Sequence, residues 1–77
     1  MTVVAFPALS QENPDAEGVL ATWFVSEGST VAADQLVAEV QVDKVSAEVL
    51  APAAGVVHLL VDEEAAVRQG APIARID

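Results

Sequence analysis

Apolar and polar residues alternate along two neighbouring segments near the middle of the chain. The first segment covers residues 35–42 and the second covers Val45–Leu50. A two-residue period is typical of strands that bury one face. If Asp43 and Lys44 occupy the centre of a tight turn, every second cross-strand pair is apolar, and a shift of one residue would mix the two faces. The pattern therefore predicts a two-stranded hairpin with Lys44 at its exposed tip.

This register defines five cross-strand pairs. The apolar pairs are Val42 with Val45, Val40 with Ala47 and Ala38 with Val49, and the polar pairs between them are Gln41 with Ser46 and Glu39 with Glu48. Two features oppose the hairpin. The favoured tight turns need positive φ, which lysine disfavours, so we expect a type I turn or local strain at the tip. The two glutamates also repel each other mildly across the ladder. The hydrophobic register outweighs both penalties.

The rest of the chain consists of short apolar segments separated by turn formers. Further strands are predicted over residues 2–6, 18–25, 55–61 and 73–76, and no segment has the period of an amphipathic helix. Residues 25–40 also resemble residues 61–76, and each copy follows a Gly-Val pair. Two copies of one β-unit predict an all-β fold, a flattened barrel or sandwich of two similar sheets related by a pseudo-twofold axis.

Composition narrows the possible functions of what we expect to be one domain over residues 1–77. Twelve carboxylates against three basic side chains give a net charge of −9, which argues against nucleic acid as a partner and favours a monomer. With no cysteine and one histidine, neither a thiol nucleophile nor a thiolate or imidazole-rich metal site can be built. No apolar run is long enough for a membrane span, and no secretory signal pattern is present. We therefore expect no membrane partner and a location in the bacterial cytoplasm or an organelle matrix.

Five motifs resemble the lipoyl domains of 2-oxo acid dehydrogenase complexes, part of the biotinyl/lipoyl attachment family. They are Glu17-Gly18 leading to Trp23, then residues 27–31, 36–40, 42–45 and 51–56. The resemblance covers nearly the whole chain and implies two four-stranded sheets, a barrel-sandwich hybrid. It identifies Lys44 as the lipoyl-attachment residue, with Asp43 and Val45 as flanking recognition residues. Related biotin carriers usually place methionine on both sides of their lysine, so these neighbours favour lipoate.

The function implied by the resemblance is transport without catalysis. A lipoate ligase or lipoyl transferase would join lipoate to the Lys44 amine. The lipoamide arm would then shuttle acyl groups and reducing equivalents between a thiamin-dependent 2-oxo acid decarboxylase, an acyltransferase catalytic domain and dihydrolipoamide dehydrogenase. In this family the loop after the first strand lies near the modified lysine and helps the decarboxylase choose its carrier. This chain has Ser10-Gln11 there instead of the frequent Gly-Glu, which leaves the parent complex open.

Several alternatives compete with this interpretation. The domain could be a biotin carboxyl carrier, or an unmodified β-module used only for protein interaction. Candidate chemistry elsewhere is weak, because the predicted Glu39–Glu48 pair marks no cleft and residues 62–64 are expected to form a solvated turn. His58 is predicted to be partly exposed and not a ligand, and Trp23 and Phe24 to be packing residues.

Overall fold

Eight antiparallel strands form two four-stranded sheets in a computed structural model that describes every residue from Met1 to Asp77. The strands are β1 Thr2–Ala5, β2 Glu17–Trp23, β3 Thr30–Val31, β4 Leu36–Val42, β5 Val45–Leu50, β6 Gly55–Leu59, β7 Ala66–Arg68 and β8 Pro72–Ile76. One sheet has the order β1-β8-β6-β3 and the other β5-β4-β2-β7. No ladder joins the two sheets, so they form a sandwich and not a closed barrel. None of the elements is a helix long and apolar enough to cross a membrane.

The core lies between the sheets and is built from the apolar residues of each alternating strand. Leu20, Val40 and Ile73 are completely buried at its centre. The remaining buried apolar residues are Val4, Phe6, Val31, Val37, Ala38, Val42, Val49, Ala51, Val57, Val67, Ala74 and Ile76. No polar or charged side chain is buried, so the side chains of the interior contact one another only through hydrophobic packing. Charged chemistry is therefore confined to the surface.

The pseudo-twofold symmetry predicted from the repeat is present in the strand pairing. The pairs β2–β4, β2–β7 and β4–β5 have the counterparts β6–β8, β6–β3 and β8–β1. The correspondence matches Leu20 with Val57, and a bulge at Ala21 adds one residue to β2. One half of the molecule consists of β1–β4 and the other of β5–β8. The short strand β3 pairs with β6 of the other half, and β7 pairs with β2. The two halves are thus interlocked.

Strands β3 and β7 were not among the strands predicted from the sequence. They contain two and three residues, too few to show a period of two. The other predicted strands are present, with ends that differ by up to two residues from the prediction. The predicted packing role is correct for Trp23, which packs against the core, and wrong for Phe24, which is 52% exposed.

Candidate attachment site at the hairpin tip

Strands β4 and β5 form the predicted hairpin in the predicted register. The observed pairs are Val42 with Val45, Gln41 with Ser46, Val40 with Ala47, Glu39 with Glu48 and Ala38 with Val49. Strand β4 also pairs with β2 on its other side, so the first arm is held within the sheet. Only the turn at residues 43–44 extends beyond the ladder. The hairpin therefore fixes where Lys44 leaves the fold.

The turn resolves the conflict over φ by placing the unusual angle at the aspartate. Asp43 has φ of +53°, whereas Lys44 is not among the residues with positive φ. Aspartate enters this region more readily than most residues with a side chain. The Gln41 side chain supports the turn, because its Nε2 donates a hydrogen bond to the Asp43 carbonyl oxygen at 3.0 Å. The backbone of Lys44 is thus spared the left-handed conformation.

The Lys44 side chain is exposed and takes part in no ion pair. The four ion pairs of the molecule all involve His58, Arg68 or Arg75. No other lysine exists in the chain. Lys44 therefore presents the only side-chain amine, and it does so at the end of a hairpin.

An apolar side chain accompanies the amine at the tip. Val45 lies on the same face of the hairpin as Val42, yet Val42 is 2% exposed and Val45 is 52% exposed. The core ends between these two residues, so Val45 extends the apolar face into solvent next to Lys44. A partner protein that binds the tip can bury the Val45 side chain in the interface.

The other charged candidates lie away from the tip or are engaged elsewhere. Glu39 and Glu48 face each other across the ladder, as predicted, and no group of histidine, cysteine or acidic residues can hold a metal ion. Glu63, in the predicted solvated turn, accepts a hydrogen bond from the Trp23 backbone N–H at 2.9 Å. An open depression of about 390 Å³ beside Trp23 is lined by that residue, Glu27 and residues 59–63.

His58 is half-buried, as predicted, and lies between two carboxylates. Its Nδ1 is 2.7 Å from a Glu27 oxygen and its Nε2 is 3.3 Å from an Asp77 oxygen. The hydrogen bond with His58 lowers the pKa of Glu27, and a second hydrogen bond from the Leu59 backbone N–H lowers it further. This arrangement ties the turn after β2 to the second half of the molecule. It is structural support and offers no open ligand position.

Sequence reasoning missed Gln41, Glu27 and Glu63 as supporting residues. For the two glutamates a signal existed, because they occupy the same position in the two repeats. A polar residue shared by two copies within a turn indicates a repeated hydrogen bond. For Gln41 no signal existed, since its contact depends on the conformation of the turn.

Comparisons with known proteins agree with this geometry. The family model of biotin-requiring enzymes, the biotin/lipoyl domain, matches residues 2–76. The dihydrolipoyllysine-residue acetyltransferase component of the pyruvate dehydrogenase complex of Corynebacterium glutamicum is 41% identical over 76 residues, which are 97% of this chain and 11% of that protein. Acetyl-CoA carboxylase 2 of Oryza sativa is 41% identical over 58 residues, which are 75% of this chain and 2% of that protein. The chain thus spans only a small part of these relatives.

A solved structure gives the same result. The solution structure of the lipoyl domain of the 2-oxoglutarate dehydrogenase complex from Azotobacter vinelandii matches with a TM-score of 0.80 and 29% identity, covering 100% of this chain and 96% of that one. The family model, the acetyltransferase relative and the solved structure each match all or nearly all of the chain. The chain belongs to the biotin/lipoyl attachment family and is a lipoyl domain of the kind found in 2-oxo acid dehydrogenase acyltransferases, a small carrier that is not itself catalytic.

Proposed function

We propose that Lys44 carries lipoate in an amide bond and presents it to the active sites of a 2-oxo acid dehydrogenase complex. The observation that carries this proposal is the position of the only lysine, exposed and unpaired at the tip of a hairpin. A covalent group on this amine would extend into solvent without displacing any ion pair of the fold. The residues present therefore fit the group.

Each residue of the tip has a separate task in this proposal. The Lys44 amine would attack the activated carboxyl carbon of lipoate. The new amide C–N bond replaces the bond from that carbon to its activating group, which leaves, and the modifying enzyme takes up the proton that the amine loses. Asp43 supplies the left-handed residue of the turn, and Gln41 holds the Asp43 carbonyl. Val45 provides an exposed apolar contact for the modifying enzyme. When bound, lipoate supplies a dithiolane that accepts an acyl group and two electrons together.

The neighbours of the lysine and the kinds of relative support lipoate over biotin. Asp43 and Val45 stand where biotin carriers usually have methionine. Relatives with similar identity include acetyltransferase components of pyruvate dehydrogenase complexes and a succinyltransferase component of a 2-oxoglutarate dehydrogenase complex. The carboxylase relative keeps biotin as the second candidate.

We further propose that residues 1–77 are one carrier domain that works with an acyltransferase catalytic domain. The partners would be a lipoate ligase or lipoyl transferase, a thiamin-dependent decarboxylase and dihydrolipoamide dehydrogenase. The names of the acyltransferase relatives support this set. Tethering the intermediate to the domain raises its effective concentration at each active site, because every transfer becomes a local event. This is the whole contribution of a non-catalytic carrier.

Enzymatic lipoylation of the wild-type chain and of Lys44→Arg tests the attachment. With lipoate, ATP and a lipoate ligase, the wild type should gain the mass of one lipoyl group and the variant should gain none. Because Lys44 is exposed and unpaired, the variant should keep its stability within about 0.5 kcal/mol in urea unfolding. Parallel incubation with biotin and a biotin ligase should leave the mass unchanged.

Three results would count against the proposal. An unmodified wild type would remove the carrier function, and a biotin adduct formed in preference to lipoate would replace it with a carboxyl carrier. If Lys44→Arg still supported turnover of the complex, the domain would be an interaction module.

A further inference from the structure

The connection between β1 and β2 is the longest irregular segment of the molecule. It covers residues 6–16, whereas its pseudo-twofold counterpart between β5 and β6 covers only residues 51–54. The first and last parts of the long connection touch the core through Phe6, Leu9 and Ala16. Its middle part belongs to no ladder. Something other than sheet pairing must hold that part in place.

One side chain makes most of the distant hydrogen bonds to this connection. Gln69, between β7 and β8, accepts a hydrogen bond at Oε1 from the Ser10 backbone N–H at 2.7 Å. Its Nε2 donates to the carbonyl oxygens of Asn13 at 3.1 Å and Ala16 at 3.0 Å, with a weaker contact to Pro14 at 3.5 Å. Gln69 is thus bonded to the beginning, middle and end of the polar part of the loop. A glutamine can do this because its amide is both donor and acceptor.

The start of the loop is also held by two backbone hydrogen bonds of Phe6, one to the Ala71 carbonyl oxygen and one from the Gly70 N–H. The remaining polar contacts of the loop are local or exposed. The Ser10 hydroxyl and the Asn13 carbonyl bond within the loop itself, to the amides of Asn13 and Ala16. The ion pair between Arg68 and Asp15 spans 3.5 Å, and its side chains are 69% and 87% exposed. Exposed pairs of this kind contribute little. Beyond Phe6, Gln69 is therefore the main polar connection between the loop and the rest of the fold.

The end of this loop lies beside the hairpin tip. It leads into β2, where Val19 pairs with Gln41 of β4. Gly18 is so close to the hairpin that a Cβ there would lie 2.8 Å from both the Gln41 carbonyl oxygen and Val42. Glu17 comes directly before Gly18 in β2, so the end of the loop lies on this side of the hairpin, next to its turn. An enzyme that reaches past the tip along this side meets the loop.

We propose that Gln69 is a positioning residue that fixes the β1–β2 loop in the shape read by the enzyme that acylates the carrier. This inference rests on the proposed function of Lys44. The fold does not require Gln69, because its counterpart in the other half is Ala33 and the matching connection there is short. Amide formation occurs at the Lys44 nitrogen and depends on the tip. Acyl transfer occurs at the far end of a long arm, so the acylating enzyme must select its carrier by surfaces around the tip.

The test uses Gln69→Ala, Gln69→Glu and the control Ala33→Gln. Each variant is lipoylated with a ligase and then offered to pyruvate-specific and 2-oxoglutarate-specific decarboxylases with their substrates. For the decarboxylase that prefers the wild type, Gln69→Ala should raise KM for the lipoylated domain about tenfold with kcat nearly unchanged. Gln69→Glu keeps the acceptor for the Ser10 amide and loses the donor, so its KM should lie between those of the wild type and Gln69→Ala. Ala33→Gln should match the wild type.

Amide hydrogen exchange separates this role from a general loss of stability. In Gln69→Ala the Ser10 amide should exchange faster, while the amides of Leu20 and Val40 in the core strands keep their protection. The rate of lipoylation should stay within twofold of the wild type for all three variants.

Distinct results would overturn the inference. Unchanged exchange at Ser10 would show that Gln69 does not hold the loop, and faster exchange with unchanged KM would show that no acylating enzyme reads it. Equal losses in lipoylation and acylation would indicate a stability effect. Failure of the wild type to be lipoylated would instead refute the proposed function, because it is measured before any Gln69 variant is compared.

Discussion

The turn after β2 and the turn after β6 occupy matching positions in the two halves, and each is fixed by the same kind of hydrogen bond. In one half the Glu27 carboxylate accepts from the Leu59 backbone N–H at 2.7 Å, and in the other the Glu63 carboxylate accepts from the Trp23 backbone N–H at 2.9 Å. In each case the glutamate of one half binds the last residue of a strand in the opposite half. Neither half can be complete alone, and the contacts that the halves share belong to the scaffold.

The halves differ at the places where function is proposed. The hairpin of β4 and β5 closes through the turn that holds Lys44, whereas the matching strands β8 and β1 pair through Thr2 and Ile76 without a turn between them. The connection over residues 6–16 is long, and its counterpart over residues 51–54 is short. The contacts that occur in both halves stabilise the fold. The two features that occur only once, the Lys44 turn and the long loop, are those for which we propose a function.

The largest effect on stability is expected from Gly18→Ala. The added Cβ would meet the Phe6 ring, the Gln41 carbonyl oxygen and the Val42 side chain. Phe6 and Val42 are buried and cannot move away without opening the core. Overpacking of this kind should lower the free energy of unfolding by about 2–3 kcal/mol, measured by urea denaturation.

Gly55→Ala is the matched change in the other half and should cost less, about 1–2 kcal/mol. The new Cβ would lie 2.5 Å from the Asp77 carbonyl oxygen and 2.7 Å from Ile76. The Asp77 backbone is held by two hydrogen bonds with Val56, and the φ of +154° at Gly55 adds backbone strain. The cost is lower because the new Cβ displaces one buried side chain, Ile76, whereas at Gly18 it displaces two. If Gly55→Ala proved as costly as Gly18→Ala, the halves would be equally rigid and this part of the comparison would be wrong.

The hairpin shows which features a sequence can predict. Its register follows from the alternation of apolar residues in β4 and β5, because only one alignment puts Val40, Val42 and Val49 on the same face. The position of Lys44 follows from that register. The repeat predicts the symmetry for the same reason, since two similar patterns bury similar faces.

Contacts between distant loops could not be predicted in this way. Strands β3 and β7 are defined by their pairing with the opposite half and not by a pattern of their own. Gln69 bonds to residues more than 50 positions away, and a single glutamine in a turn gives no sign of its partners. The conformation of the turn could not be predicted either, because the sequence does not show which of its two central residues, Asp43 or Lys44, adopts the positive φ.

A smaller effect should come from exchanging residues at a shared left-handed position. Gly28 has φ of +82° and its counterpart Glu64 has φ of +70°. A side chain at Gly28 would meet nothing within 4 Å, so Gly28→Glu should cost only the backbone strain, about 1 kcal/mol. Glu64→Gly removes that strain but raises the conformational entropy of the unfolded chain. The free energy of unfolding, measured in urea, should therefore rise by only about 0.5 kcal/mol.

Asp34→Gly serves as the control for this exchange. Asp34 has φ of +68°, and its counterpart is Gly70 with φ of +85°. Aspartate tolerates this region better than glutamate, so Asp34→Gly should gain less than Glu64→Gly. A larger gain at Asp34 would mean that side-chain contacts, and not φ, decide the cost at these turns.

The smallest effect concerns the one contact that Glu27 has and Glu63 lacks. The His58 hydrogen bond, more than the Leu59 amide, holds the pKa of Glu27 below its ordinary value of 4.5. A carboxyl with a lowered folded pKa stabilises the protein above its unfolded pKa, and this contribution is lost as the pH falls through the folded value. The unfolding free energy should therefore fall as the pH drops below 4.5, and Glu27→Gln should flatten that part of the curve.

Two further variants tie this pH dependence to the imidazole. Thr22 occupies the position of His58 in the other half, so His58→Thr makes the halves alike. The pKa of Glu27, followed by NMR titration of its side-chain carboxyl, should rise toward 4.5 but stay below it, because the Leu59 amide still donates. Glu63→Gln leaves both Glu27 contacts in place and should keep the Glu27 titration unchanged. If His58→Thr left the pKa of Glu27 where it was, the backbone amide alone would account for the shift, and the two glutamates would be equivalent after all.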